Sequence, residues 1–263
     1  MKKTIYLLPG VGCDEKVFRN LELPGYELVP VKWLTPKTDE NLKAYVRRLL
    51  PQITAPEPIL LGLSFGGIAA IEISKLIKTR KVIIISSIKT YHERPVKMSL
   101  LYLLKFYRIL PARLAVRFRF WQRWAIGSLN YDEQNLVEEM IENIDLNFNK
   151  WAVDQAIHWD NTEIPKNIVH IHGDEDNIFP HIYIRHYHRV RGGTHFMIVR
   201  HAKQISHIIL HELEKPEGAK KGETYEEESV KDKKKKKKKA KTKSISRKIV
   251  SRVKAPFKKK LRA

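Results

Sequence analysis

The chain has 263 residues, of which 43% are hydrophobic and 30% are charged, a composition that suits a globular domain with a sizeable core. Its mean hydropathy of -0.40 and the lack of an apolar run of about 18 residues argue against membrane-spanning helices. The single cysteine, Cys13, rules out an internal disulfide and a zinc site built from cysteines, so we expect a cytoplasmic protein.

Short apolar runs rich in β-branched residues alternate with segments of helical periodicity. The predicted strands are Thr4–Leu8, Glu27–Val31, Ile59–Leu63, Lys81–Ser86, Ile168–His172 and Tyr187–Val190. The predicted helices are Asp39–Leu50, Phe65–Ile77 and Ala202–Leu213. This alternation predicts an α/β fold with a mostly parallel, doubly wound sheet of about six strands. A stretch over about residues 94–160 has helical periodicity without a strand pattern, which predicts a helical insertion.

The net charge of +21 is distributed unevenly along the chain. Residues 215–263 hold 21 basic and 6 acidic side chains, a net charge of +15, and residues 1–214 hold the remaining +6. Such a tail buries too little apolar surface to fold, so we predict a domain over 1–214 and a largely disordered Lys-rich tail over 215–263. Apolar residues four apart among basic ones predict a basic amphipathic helix over 244–262.

The motif G-x-S-x-G follows the third predicted strand and opens a predicted helix. It reads Gly62-Leu63-Ser64-Phe65-Gly66. A strand–turn–helix context of this kind exposes the serine oxygen on a sharp turn, and the glycines are needed where side chains would not fit. The motif therefore predicts Ser64 as a nucleophile.

A serine nucleophile needs a base and a carboxylate that orients the base. Gly192-Gly193-Thr194-His195-Phe196 follows the last predicted strand and offers His195 as the base. Gly173-Asp174-Glu175-Asp176 follows the strand before it and offers two carboxylates, Asp174 and Asp176. With Ser, Asp and His in this chain order, residues 4–213 resemble the α/β-hydrolase superfamily, and more narrowly a group of small bacterial serine hydrolases without a defined substrate.

The resemblance implies specific roles for residues of this chain. The family pattern G-x-x-D-x-x-x-P aligns with Gly173, Asp176 and Pro180 and so favours Asp176 as the triad acid, with Asp174 as the alternative. The oxyanion hole would be formed by the backbone N–H groups of Val11 and Phe65. Many relatives have His-Gly where this chain has Pro9-Gly10, and the insertion at about 94–160 corresponds to a helical cap.

These features predict a serine hydrolase that cleaves a carboxylic ester or thioester with an apolar acyl part through an acyl-enzyme on Ser64. An acyltransferase with the same triad and a catalytically silent binding or scaffold protein are the alternatives. We expect no cofactor and no metal, because the pair His170 and His172 fits a packed strand face better than a metal site.

The basic segments indicate further partners. Between Pro95 and Trp124 the cap carries seven basic residues and no acidic one, which fits a solvated face, an anionic lipid or an acidic substrate head group. The Lys-rich tail fits an anionic membrane surface, non-specific nucleic acid or a purely solubilising role. The protein is thus expected in the cytoplasm, and at the inner membrane surface where the tail binds lipid, whereas the oligomeric state stays open.

Overall fold

The computed structural model describes residues 3–95, 134–135, 139 and 145–215. Most of the predicted cap over 94–160, including its basic segment after Pro95, lies outside these residues. The predicted tail beyond Lys215, with its amphipathic helix over 244–262, also lies outside them. These predictions therefore stay predictions.

Six strands form one parallel sheet in the order β2-β1-β3-β4-β5-β6, which confirms the predicted fold class. The strands are β1 Lys3–Leu8, β2 Tyr26–Pro30, β3 Ile59–Leu63, β4 Lys81–Ile85, β5 Ile168–Gly173 and β6 His188–Val190. Each predicted strand is present within one residue of its predicted ends. β4 stops before Ser86 because that residue adopts a left-handed φ of 47°.

Five α-helices accompany the sheet within residues 3–95 and 145–215. They are α1 Leu42–Leu49, α2 Phe65–Ser74, α3 Leu146–His158, α4 Met197–Arg200 and α5 Ala202–Glu214. Helix α1 begins three residues later than predicted because the Asn41 side chain accepts a hydrogen bond from the Ala44 amide and caps the helix. None of these helices is long and apolar enough to cross a membrane.

The core lies on both faces of the sheet, as near-continuous apolar strands require. Tyr6, Leu60 and Ile84 pack on one face with residues of α1, α2 and α3. Their neighbours along the strands point to the opposite face and are also buried, as Leu61 and Ile83 illustrate.

The sheet topology places the predicted site residues at one edge. Because all strands are parallel, the segments that follow β1, β3, β5 and β6 leave the sheet at its carboxyl edge. These segments carry Val11, Ser64, Asp176 and His195, respectively. Ligands of open α/β sheets bind at this edge, so the fold gathers the candidate residues where chemistry is expected.

Candidate active site

Ser64 occupies the sharp turn between β3 and α2. Its backbone has φ 51° and ψ -117°, in a region that residues with a side chain rarely adopt. Two hydrogen bonds hold this turn: the Ser64 amide donates to the Ile85 carbonyl at 2.9 Å, and the Ser87 hydroxyl donates to the Ser64 carbonyl at 2.7 Å. The strained conformation is thus fixed from the neighbouring strand β4 and from the residues that follow it.

The two glycines of the G-x-S-x-G motif are required by close backbone contacts. A Cβ atom on Gly66 would lie under 3.0 Å from the carbonyl oxygens of Leu8 and Pro9. A Cβ atom on Gly62 would lie equally close to the Gly66 carbonyl oxygen. The end of β1 therefore packs directly on the first turn of α2, and this contact brings the loop after β1 beside Ser64.

A chain of hydrogen bonds joins Ser64, His195 and Asp176. The distance from His195 Nδ1 to Asp176 Oδ2 is 2.9 Å, and the distance from His195 Nε2 to Ser64 Oγ is 3.0 Å. Because an ionised carboxylate can only accept, Nδ1 carries the proton and Nε2 is left to accept from the Ser64 hydroxyl. This tautomer is the one that a general base acting on Ser64 needs.

The structure brings only one of the two candidate carboxylates to His195. Asp176 is buried, and its second oxygen accepts hydrogen bonds from the amides of Ile178 and Phe179, both at 2.8 Å. Asp174 instead accepts from the Arg189 guanidinium at 2.8 Å and from the Gly192 amide at 2.6 Å. Asp176 is therefore the carboxylate that contacts His195, and Asp174 contacts the loop that precedes His195.

Asp176 is held in its ionised form. Burial alone would raise the pKa of its carboxyl, but the charge and hydrogen bond of His195, together with His172 and the Phe179 amide, outweigh this effect and lower the pKa. At neutral pH the carboxylate can thus stabilise a positive charge on His195 without itself taking up the proton.

The loop after β1 lies against Ser64. A Cβ atom on Gly10 would lie 3.3 Å from Ser64 Cβ, so the backbone that leads to Val11 passes beside the hydroxyl. Gly12 has φ 72°, which a residue with a side chain would adopt only with strain. On the other side, Phe65 is the first residue of α2, and its amide has no acceptor within the helix. The two predicted oxyanion donors, the amides of Val11 and Phe65, thus belong to the segments that flank Ser64.

A cavity of about 250 Å³ lies beside this loop. Its lining includes Gly12 and Cys13 of the loop and the aromatic residues Trp33 and Phe148. The rings of Trp33 and Phe148 are stacked with centroids 5.3 Å apart. Loss of hydration raises the pKa of the Cys13 thiol to about 12, so the residue is an uncharged thiol at neutral pH and a poor nucleophile.

A buried cluster of polar side chains adjoins the site. His172 lies 3.6 Å from Asp176 Oδ2, and its Nε2–H donates to the Phe179 carbonyl at 2.7 Å. His170 is its neighbour on the same strand face and accepts at Nδ1 from the Lys89 ammonium at 2.8 Å. Burial lowers the pKa of both imidazoles. No cluster of His, Cys, Asp or Glu side chains among the described residues has the arrangement of a metal site.

Comparison with known proteins rests on structure. No protein-family profile matches the chain, and no curated protein sequence does. Solved structures that match include a lipase-esterase related protein from Clostridium acetobutylicum, MenH from S. aureus and the esterase EaEST from Exiguobacterium antarcticum. Their identities to this chain are 18%, 16% and 12%, and their TM-scores are 0.59, 0.61 and 0.62. The alignments cover 80%, 81% and 81% of this chain and 94%, 94% and 92% of theirs.

The protein has the α/β-hydrolase fold. Within this α/β-hydrolase fold, Ser64, Asp176 and His195 occur in the chain order that the resemblance implied. Three further residues at the site were not predicted. Ser87 and Asn149 form hydrogen bonds that no sequence motif indicates. His172 was predicted only to belong to a packed strand face, and its contact with the Phe179 carbonyl was not predicted.

Proposed function

We propose that the protein is a serine hydrolase that cleaves a carboxylic ester or thioester through an acyl-enzyme on Ser64. The observation that carries this proposal is the continuous hydrogen-bonded chain from Ser64 Oγ through His195 to the buried carboxylate of Asp176. A nucleophile, a base and an orienting acid at hydrogen-bonding distance form the arrangement that acyl transfer requires.

The first half of the reaction forms the acyl-enzyme. Ser64 Oγ attacks the substrate carbonyl carbon while His195 Nε2 takes the hydroxyl proton. The imidazolium that results is stabilised by the Asp176 carboxylate at 2.9 Å. The bond to the alcohol or thiol then breaks, and His195 returns the proton to the leaving oxygen or sulfur.

The second half releases the acid. Water attacks the acyl-enzyme carbonyl, His195 takes a proton from the water, and the bond to Ser64 Oγ breaks as the proton passes to this oxygen. In both halves a negative charge develops on the carbonyl oxygen. The amides of Val11 and Phe65 are the donors that would stabilise it, a contribution of about 10²–10³ in rate for each such donor.

The aromatic residues beside the loop support a substrate with an apolar acyl part. Trp33 and Phe148 line the cavity next to Gly12, and Phe65 packs against both rings. Among p-nitrophenyl esters of increasing acyl chain length, we expect kcat/KM to be largest for an acyl chain longer than that of the acetate. An initial burst of p-nitrophenol would report accumulation of the acyl-enzyme.

The test of the nucleophile is covalent labelling by a fluorophosphonate probe. We expect the native full-length protein to be labelled at Ser64, as identified by mass spectrometry of the labelled peptide. Ser64→Ala should lose both the label and ester hydrolysis. Labelling of the native protein at another residue, or hydrolysis by Ser64→Ala at the native rate, would refute the assignment. Heat-denatured protein gives the background of the probe.

Substitution of each of the two carboxylates after β5 tests which one is the orienting acid, and the two variants form a matched pair. Asp176→Asn should lower the rate of acylation by about three to four orders of magnitude, because His195 would lose the partner that fixes its tautomer. Asp174→Asn removes the charge that pairs with Arg189 but keeps an oxygen that can accept from the Gly192 amide, so it should retain most of the rate. The opposite ranking of the two variants would show that Asp174 is the acid.

A further inference from the structure

The loop that carries Val11 needs support from another part of the chain. Within the loop, the Cys13 amide donates to the Gly10 carbonyl at 3.3 Å and closes a turn. Two glycines in this short segment allow many backbone conformations, and only a fixed conformation keeps an amide aimed at one point. A contact from outside the loop that fixes its conformation would therefore favour the reaction.

Asn149 of α3 supplies such a contact. Its Oδ1 accepts a hydrogen bond from the Gly12 amide at 3.1 Å, although the two residues are 137 positions apart in the chain. Gly12 directly follows Val11, so the two amides are joined by a single residue. Fixing the peptide plane before Gly12 restricts the orientation of the Val11 backbone.

Asn149 can act as a fixed point because the first turn of α3 is itself well anchored. The Asp145 side chain accepts hydrogen bonds from the amides of Asn147 and Phe148, at 2.9 and 3.1 Å, and caps the helix. The Asn149 amide donates to the Asp145 carbonyl at 2.9 Å and continues the helix.

The same turn of α3 also contacts the start of α2, which carries the second predicted oxyanion donor, the Phe65 amide. Phe148 is 5% exposed and packs edge-to-face on Phe65, with ring centroids 6.1 Å apart. Adjacent residues of one helical turn thus touch the two segments that flank Ser64: Asn149 holds the loop after β1, and Phe148 holds the start of α2.

We propose that Asn149 is a positioning residue that holds the Val11 amide in the oxyanion hole. This inference rests on the proposed function and deepens it. Because the amide interacts most strongly with the charge that develops in the transition state, its displacement lowers kcat and leaves substrate binding in the ground state largely unchanged.

The experiment compares Asn149→Leu, which removes the acceptor and keeps the number and branching of the side-chain heavy atoms, with Asn147→Leu as the matched control. Asn147 is exposed on the same turn of α3. We expect Asn149→Leu to lower kcat for a p-nitrophenyl ester by about 10- to 100-fold, with KM changed by less than about twofold. The control should keep kcat within about twofold of the native protein.

A second measurement separates positioning from general damage. An alkyl trifluoromethyl ketone adds to a catalytic serine and forms a tetrahedral oxyanion, so its inhibition constant reports the oxyanion hole directly. We expect this constant to rise in Asn149→Leu by the same factor by which kcat falls, and to stay unchanged in Asn147→Leu. Asn149→Ala is expected to show the same pattern, and it replaces Asn149→Leu if the larger side chain prevents folding.

Two results would overturn the proposal. The first is an Asn149 variant with the kcat and inhibition constant of the Asn147 control, and the second is a raised KM with unchanged kcat, which would assign the side chain to substrate binding. Both leave the proposed function intact as long as the native protein is labelled at Ser64. If the native protein hydrolyses no ester and takes up no fluorophosphonate, the proposed function fails and the role of Asn149 fails with it.

Discussion

The buried imidazole of His170 makes the stability of the fold sensitive to mild acid. Its side chain is enclosed, and its Nδ1 accepts from the Lys89 ammonium at 2.8 Å. Burial is the main cause that lowers the pKa of His170 well below its usual value, and the charge of Lys89 and the neighbouring His172 and His188 lower it further. Protonation would therefore place a second positive charge beside Lys89 and remove the acceptor of its hydrogen bond.

The magnitude follows from proton linkage. The unfolded chain takes up a proton at His170 near pH 6.5, whereas the folded chain does not until a much lower pH. Between these values the unfolded state binds more protons, so stability falls as pH falls. Acidification from about pH 7 to about pH 5.5 should lower the free energy of unfolding by about 1 kcal/mol through His170 alone. His172 acts in the same direction, because burial also lowers its pKa.

The assay is urea unfolding, followed by the fluorescence of the five tryptophans at both pH values, for the native protein and His170→Asn. Asparagine keeps an oxygen near the position of Nδ1 that can accept from Lys89, and it does not titrate. We expect the variant to lose about 1 kcal/mol less than the native protein on acidification, whatever its stability at neutral pH. Replacement of the exposed His92 by Asn serves as the control. A pH dependence in His170→Asn as large as in the native protein would refute the reasoning.

Two further predictions concern the end of β1 and the last helix. Gly66→Ala would place a methyl group under 3.0 Å from the Leu8 carbonyl oxygen, so we expect a loss of about 1–3 kcal/mol in urea unfolding, and native stability would contradict this contact. Burial raises the pKa of Glu212, but hydrogen bonds from His188 and Lys215 outweigh this effect and lower the pKa to about 2. Its contribution to stability is therefore present above about pH 4.5 and is lost as pH falls toward 2. Glu212→Gln should be less stable at neutral pH and lose less on acid titration, and an unchanged acid transition would argue against this role.

The sheet could be predicted from the sequence because a buried parallel strand leaves a strong local signature. The run Val82-Ile83-Ile84-Ile85 has no polar interruption, and β3 has its predicted ends, Ile59 and Leu63. Helix ends were less predictable, since they depend on single caps: Asn41 moved the start of α1. The four-residue helix α4 was missed because it is too short to show a period.

The residues of the candidate site also differ in how far the sequence could predict them. Ser64 and His195 stand in short motifs whose glycines are required by close backbone contacts, so the motifs alone indicated both residues. The resemblance favoured Asp176 over Asp174, but only the structure shows which of the two carboxylates lies at hydrogen-bonding distance from His195. Asn149 and Ser87 could not be predicted, since their contacts depend on how distant segments pack and no local pattern encodes that packing.

The hydrogen bond between Ser64 and His195 joins residues 131 positions apart in the chain. Contacts of such sequence separation close large loops, and the entropy of loop closure opposes their formation. We therefore expect Ser64 to react with a fluorophosphonate only in the completed tertiary structure. A collapsed intermediate that lacks β6 should not react, because His195 follows this strand. During refolding, we expect the recovery of this reactivity to report when the segments after β3 and β6 come together.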